Sequence, residues 1–321
     1  MPAHESGEPG AGVDRPVDPA IAGTRFDPYE FAWDWTTAQL IARAAGCSIA
    51  DDLDRPLMAP DSGRPGHPLI LFNGALLARN RTEVMERLIG GYDAWKRIGR
   101  WGSAYMRFRG PLARTGRARV SCGFTDVAGT SKGHALVRFS FAVEDVDSRR
   151  ELADGWMLLF LLGCAPDGAA RLVSPHAAMP DSEPDTVLTH GTPVNVTFDW
   201  AMASGDWNPM HFERQAGNPA PLVHGPRNMA LILHDAARTF AGGRLERVRE
   251  ITLGTMPAPH YPGEPTESRF WCDGAQRVLG RLVVPAAARL DGGVGDKVVI
   301  DQIEIALEPW RRGTQGITEP S

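Results

Sequence analysis

The chain has 321 residues, 43% of them hydrophobic and 23% charged, with a formal net charge of −5. At roughly 150 residues per domain this is enough chain for two cores, and the ordinary globular usage excludes collagen-like, wholly disordered and disulfide-scaffold classes. The negative balance supplies no basic field for a nucleic-acid backbone or an anionic membrane, so neither is an expected partner.

Residues 1–24 are rich in Pro, Gly, Ala and acid, carry no basic-then-apolar signal sequence and read as a disordered lead-in. Residues 25–165 read as a first domain. Here Trp35–Ala45 predicts a helix with Asp34 or Thr36 near its cap, and Leu69–Leu88 predicts a longer one. Strands are expected at Ser103–Arg109, Arg117–Phe124, Ala135–Val143 and Trp156–Leu162. The apolar run Trp156–Ala165 is half the length needed to span a bilayer, so a buried strand is the better reading.

Residues 166–184 contain four prolines and little periodicity, which predicts a linker. Residues 185–311 read as a second domain and 312–321 as a tail. Val194, Val196, Phe198 and Trp200 alternate with polar residues and predict a half-buried strand. Pro226 suits the first position of a helix that continues through Met229, Ile232, Leu233, Ala236 and Phe240 until Gly242 and Gly243 stop it. Further strands are expected at Val248–Met256, Glu267–Asp273, Gln276–Val284 and Lys297–Leu307. One long helix with about five antiparallel strands is an α+β unit, a sheet wrapped around a helix. The first half has the same order of elements, although the halves do not repeat residue for residue.

Cys47, Cys122, Cys164 and Cys272 are far apart, with no C-x-x-C pair and no histidine at zinc-ligand spacing. They read as buried free thiols of a cytoplasmic protein, with no metal. The Gly-rich stretch 291–297 lacks the G-K-[ST] ending of a phosphate loop and reads as a hairpin turn. His234 and Asp235 fall on the polar side of the predicted helix and read as surface residues. Arg227 and Arg238 are candidates to meet a phosphate group. Trp33, Trp35, Trp95, Trp101 and Trp156 read as core.

Chemistry concentrates in AMASGDWNPMHF, residues 201–212, and PLVHGPRNM, residues 221–229. Asp206, Asn208, Pro209 and His211 crowd into six positions; Pro209 restricts Asn208, and Gly205 allows a tight approach before the acid. Such a turn can aim Asp206 and His211 at one water, the minimum equipment for acid–base work near neutral pH. G-D-x-N-P is also a common turn composition, so the motif alone leaves a structural role open. His224-Gly225-Pro226 adds a glycine amide at the start of an apolar helix, where orphan N–H groups favour a developing oxyanion.

The stretch Phe198–His211, FDWAMASGDWNPMH, with LVHG at 222–225, resembles the hydratase signature of the MaoC-like dehydratases and (R)-specific enoyl-CoA hydratases. The resemblance is close over 194–256 and looser over the second half. It implies a hotdog fold, with Asp206 and His211 holding water, the Gly225 amide as oxyanion donor, and Asn208, Gly205, Ser204 and His224 in support. Arg227 and Met229 would line the substrate. Two departures stand out: the stretch from His211 to Gly225 is short for the family, and Pro226-Arg227-Asn228 is bulky.

More weakly, FAWDWTTAQLIARAAGC at 31–47 and MRFRGPL at 106–112 resemble the non-catalytic first hotdog of double-hotdog members. Residues 25–165 contain no second D-x-N-P-x-H. The implied whole is an α+β double hotdog, two antiparallel sheets each wrapped on a central helix, with one site. Loss of the helix obstacle in the inactive half would admit bulkier acyl groups. The implied activity is that of a hydro-lyase on (3R)-hydroxyacyl and trans-2-enoyl thioesters, with coenzyme A or a phosphopantetheine arm of a carrier protein as part of the substrate. No separate cofactor is implied, and a homodimer is compatible with it. Rival readings are a polyketide tailoring enzyme using the same pair for cyclisation or double-bond shift, a hotdog thioesterase, and a non-catalytic partner subunit.

Overall fold

The computed structural model describes residues 16–48, 50–54, 57, 65–77, 88, 90, 99–166, 178–215, 217–274 and 276–308. The first half contains β1 (Tyr29–Trp33), α1 (Trp35–Ala44), α2 (Leu69–Leu77), β2 (Gly99–Phe108), β3 (Gly116–Gly129), β4 (Ala135–Asp145) and β5 (Glu151–Leu161). The second contains β6 (Thr186–His190), α3 (Val196–Ser204), α4 (Gly225–Ala241), β7 (Val248–Leu253), β8 (Thr266–Cys272), β9 (Arg277–Val284) and β10 (Lys297–Leu307). The tail 312–321, Trp95, most of the linker and the end of the predicted helix 69–88 lie outside the described residues.

Local chemistry accounts for these elements. In β4, Ala135, Val137, Phe139, Phe141 and Val143 alternate inward, and Ile303, Ile305 and Leu307 do the same in β10. Asp34 caps α1 by accepting the Thr37 N–H at 2.8 Å. In α4, Pro226 occupies the first turn, Met229, Ile232, Leu233 and Ala236 are buried, and Gly242 ends the helix with φ +63°.

The ten strands among the described residues pair antiparallel in the order β1-β3-β4-β5-β2-β7-β10-β9-β8-β6. Read outward from the β2–β7 junction, both halves run second, fifth, fourth, third, first strand. Among the described residues, each half also places helices between its first and second strands. The halves are thus related by an internal pseudo-two-fold, a repeat of topology without a repeat of sequence. The expected two sheets are one continuous sheet, joined where Ala104, Tyr105, Met106 and Arg107 pair with Leu253, Thr252, Ile251 and Glu250. α1 and α3 pack against each other.

The structure corrects some of these expectations and completes others. Val194–Trp200 is not a strand; most of it lies in α3, where Val196, Trp200 and Ala203 at helical spacing are buried while Val194 and Phe198 are exposed. Period two fitted seven residues, but burial follows period 3.6. β1 and β6 were not expected because both are only five residues long and a single residue of the two strands, Trp33, is buried. The first half keeps a helix on its sheet: α2 carries the fully buried Phe72, which meets Trp101 and Phe141 edge to face. Cys47, Cys122 and Cys164 are buried thiols as expected, but Cys272 is exposed. Among the described residues, no helix is long and apolar enough to cross a membrane.

Candidate active site

The motif begins where α3 stops. Gly205 terminates the helix in the left-handed region (φ +76°), so the chain reverses and brings Asp206 back toward α4. The Ser204 hydroxyl oxygen accepts the Asp206 N–H at 3.2 Å. Asp206 Oδ1 accepts the Asn208 N–H at 3.2 Å, and Asn208 Oδ1 caps the next turn by accepting the Met210 N–H at 3.3 Å. Pro209 opens a single 3-10 turn, Pro209–His211, that lifts His211 over the acid. Gly205, Ser204 and Asn208 therefore shape the loop.

Asp206, Asn208, His211 and His224 are all buried or nearly so. Asp206 Oδ2 and His211 Nε2 stand 3.9 Å apart, too far for a direct hydrogen bond and close enough for one water to touch both. His211 Nδ1 lies 2.8 Å from the Leu222 carbonyl. In the neutral ring Nδ1–H donates to that carbonyl, which leaves the Nε2 lone pair facing Asp206. His224 stacks on His211 with centroids 3.6 Å apart and planes inclined 22°, and its Nε2–H donates to the Asp206 carbonyl at 3.0 Å. The lip between them is held by two backbone bonds, Leu222 N–H to Met210 O at 3.0 Å and Val223 N–H to His260 O at 2.8 Å.

Gly225 is the first residue of α4, and among the described residues its N–H makes no hydrogen bond. It is one of the orphan donors at the positive end of a 17-residue helix. A Cβ there would stand 2.8 Å from Trp101 Cε3 and 3.5 Å from Met256 Sδ. Trp101 belongs to β2, so the first half walls the glycine.

Asp206, His211 and His224 offer one metal-ligand atom each within 4.8 Å of one another, as do Cys47, Asp54 and His234. In the first trio both imidazoles already give one nitrogen to a backbone carbonyl.

No protein-family model matches the chain. A peroxisomal multifunctional enzyme type 2 of Mus musculus is 25% identical over 182 residues, which are 54% of this chain and 24% of that protein. Among solved structures, a MaoC-like dehydratase from Phytophthora capsici is similar with a TM-score of 0.74 at 18% identity, covering 91% of this chain and 98% of the other. A conserved Mycobacterium tuberculosis protein with a double hotdog fold gives 0.55 at 16% identity, over 89% and 96% of the two chains. The chain has the double-hotdog fold of the MaoC-like dehydratases. Full-length peroxisomal multifunctional enzyme type 2 from Drosophila melanogaster gives a TM-score of 0.70 at 19% identity over 88% of this double hotdog, which spans 48% of that chain.

Within the double hotdog, the structure gathers Asp206, His211, His224 and Gly225 and separates them from other candidates. Met229 is packed in the core. Arg227 is buried on another face of α4, its Nε–H donating to Ala44 O at 3.2 Å. Arg238 is engaged by the carboxylates of Asp51 at 2.6 Å and Asp54 at 3.3 Å. His234 and Asp235 are buried, contrary to the surface reading. His234 lies beside Cys47 and Asp54, and Asp235 accepts the Ser268 hydroxyl at 2.5 Å. Arg227, His234 and Arg238 face the first half, a neighbour that a helical-wheel argument cannot see, while Asp235 faces β6 and β8. Burial and the Asp54 charge push the Cys47 thiol well above its ordinary value. Of the tryptophans, Trp33 is core, Trp35 and Trp156 are half-buried under Arg114 and Arg138, and Trp101 adjoins the site. The Leu222 carbonyl, Trp101 and Met256 were not foreseen: a carbonyl has no sequence signature, and the other two reach the site only through strand pairing.

Proposed function

We propose that this double hotdog is a hydro-lyase that interconverts a (3R)-3-hydroxyacyl thioester and its trans-2-enoyl thioester. The observation that carries the reading is the 3.9 Å gap between Asp206 Oδ2 and His211 Nε2, which a water can bridge, beside the unengaged Gly225 amide. In the hydration direction, His211 Nε2 takes a proton as the water oxygen forms its bond to C3. The C2–C3 π electrons move toward the thioester carbonyl, whose developing oxyanion accepts the Gly225 N–H. The Asp206–His211 pair then returns a proton to C2. Because water and proton come from one pair on one face, the addition is syn. Dehydration is the reverse. The thioester makes C2–H acidic enough for bases of this strength, and coenzyme A or a phosphopantetheine arm enters as part of the substrate.

His224 acts through others: it stacks on His211 and holds the backbone of Asp206, which makes it a positioning residue. Incubation of the purified protein with crotonyl-CoA and longer trans-2-enoyl-CoAs, following loss of the enoyl absorbance, tests the reading. Absence of turnover on every chain length, with the protein folded, would exclude it.

A further inference from the structure

The internal two-fold gives the catalytic motif a counterpart in the first half. α3 ends on Gly205 with positive φ and Asp206 follows; α1 runs into Gly46, also with positive φ (+101°), and Cys47 follows. Counting on from the two glycines, His211 corresponds to Asp52. The first half therefore holds neither member of the pair. Beside Cys47 lies a cavity of about 350 Å³, with Val196, Arg227, Leu231, His190 and the Arg43–Asp199 pair (3.7 Å) among its walls. This volume is within the range of small-molecule sites.

Arg227 makes the cavity more than a packing gap. It lies two residues beyond Gly225, about 200° around α4, and so faces away from the Asp206 loop. It is 3% exposed. Its Nε–H donates to Ala44 O at 3.2 Å and its Nη1 makes only a long contact of 3.5 Å to Asn228 Oδ1. Among the described residues, no carboxylate lies within ion-pair distance of the guanidinium. Asp235, whose charge it feels, accepts the Ser268 hydroxyl on Oδ2 at 2.5 Å, and His190 Nε2 stands 2.9 Å from the same oxygen. Burial lowers the guanidinium to about 10, against the nearby Asp235 charge, which raises it. Buried charges are ordinarily paired.

We propose that this second cavity, on the degenerate side of the two-fold, binds a small organic oxyanion, with Arg227 gripping the head and Val196, Leu231 and Cys47 enclosing a short apolar tail. A guanidinium fork matches the two oxygens of a carboxylate, and the apolar part of the wall, Cys47, Val196 and Leu231, favours a fatty carboxylate over a bare inorganic ion. The site is independent of the catalytic reading, because it shares no side chain with the Asp206 loop.

The test is calorimetric titration and thermal unfolding of the full chain with hexanoate, hexanamide and inorganic phosphate. Hexanoate is expected to bind one per chain and raise the unfolding temperature, with the uncharged amide at least tenfold weaker. Stronger binding of phosphate than of hexanoate would show that the apolar tail contributes nothing and would overturn the proposal. Equal binding of hexanoate and hexanamide, or no binding of either anion, would overturn the proposal without any variant. Arg227→Gln should abolish binding, and Val196→Phe, which fills the cavity while leaving the arginine, should do the same. Asp206→Asn should leave it unchanged; loss of binding in Asp206→Asn would place the ligand in the other pocket and also overturn it.

Discussion

Trp101 lies against the α-carbon of Gly225, so close that a methyl group on the glycine would stand 2.8 Å from its ring. An indole from the first half thus fixes the position of the amide proposed to receive the oxyanion in the second. Gly225→Ala should displace that amide and lower turnover by about 10²–10³-fold, the usual cost of one oxyanion donor, with the fold retained. Trp101→Leu in the same chain should return part of the lost rate by relieving the contact. Steady-state kinetics of both variants decide the point. A double variant no better than Gly225→Ala would show that the methyl obstructs the thioester and not the indole.

Asp206 and His211 are proposed to share one water, so they should fail as a unit. Asp206→Asn and His211→Ala should each lower kcat by about 10²–10⁴-fold, with the double variant hardly worse than either single. Multiplying losses would mean independent roles. Thermal unfolding of each variant is needed alongside, since the Asn208 N–H also rests on the Asp206 carboxylate.

The motif was legible because its logic is local. Gly205, Asp206, Asn208 and Pro209 build their turn from neighbours within a few residues, and Pro226 with Gly242 bracket α4, so spacing alone placed the acid, the base and the helix start. What was not legible depends on distant chain. The outward and inward residues of α3 are sorted by packing against α1 and not by their own alternation. The polar side of α4 is buried because Ala44, Cys47, Asp51 and Asp54 receive Arg227, His234 and Arg238, and Ser268 and His190 receive Asp235. The topological repeat was legible only as a similar order of elements, because the residues at corresponding positions, such as Cys47 and Asp206, have no chemistry in common.

Two buried histidines set a pH dependence of stability. Burial lowers His67, helped by His234, and His260, helped by Arg227, each to about 3 from an ordinary 6.5. His260 is neutral, with Nδ1 3.0 Å from Asn228 Oδ1 and Nε2 3.3 Å from Thr192 Oγ1. Between pH 6.5 and 3 the unfolded chain binds the protons that the folded chain refuses. Stability from these groups is therefore present above pH 6.5 and is lost as pH falls toward 3, by up to about 1.4 kcal/mol per pH unit for each histidine. Urea unfolding at pH 7, 6 and 5 should show this slope, and His260→Gln should flatten it. An unchanged slope in His260→Gln would remove His260 from the account.

The second half alone should not function. Removing the first half strips β7 of its partner β2 and exposes a sheet edge carrying the buried Ile251 and Leu253, the kind of edge that recruits another chain. It also removes the Ser103 hydroxyl from Leu253 O, Asp51 and Asp54 from Arg238, the Ala44 carbonyl from Arg227 and the Trp101 wall from Gly225. Residues 185–321 expressed alone are expected to aggregate, or to stay soluble with turnover at least 10²-fold down, by the same loss of oxyanion placement as in Gly225→Ala. Co-expression with residues 1–184 should restore part of the activity, less than in the single chain, where the covalent link keeps the partner at high effective concentration. Size-exclusion chromatography and turnover of the fragment, alone and with its partner, measure this. A soluble 185–321 fragment with full activity would show that the first half is an independent module.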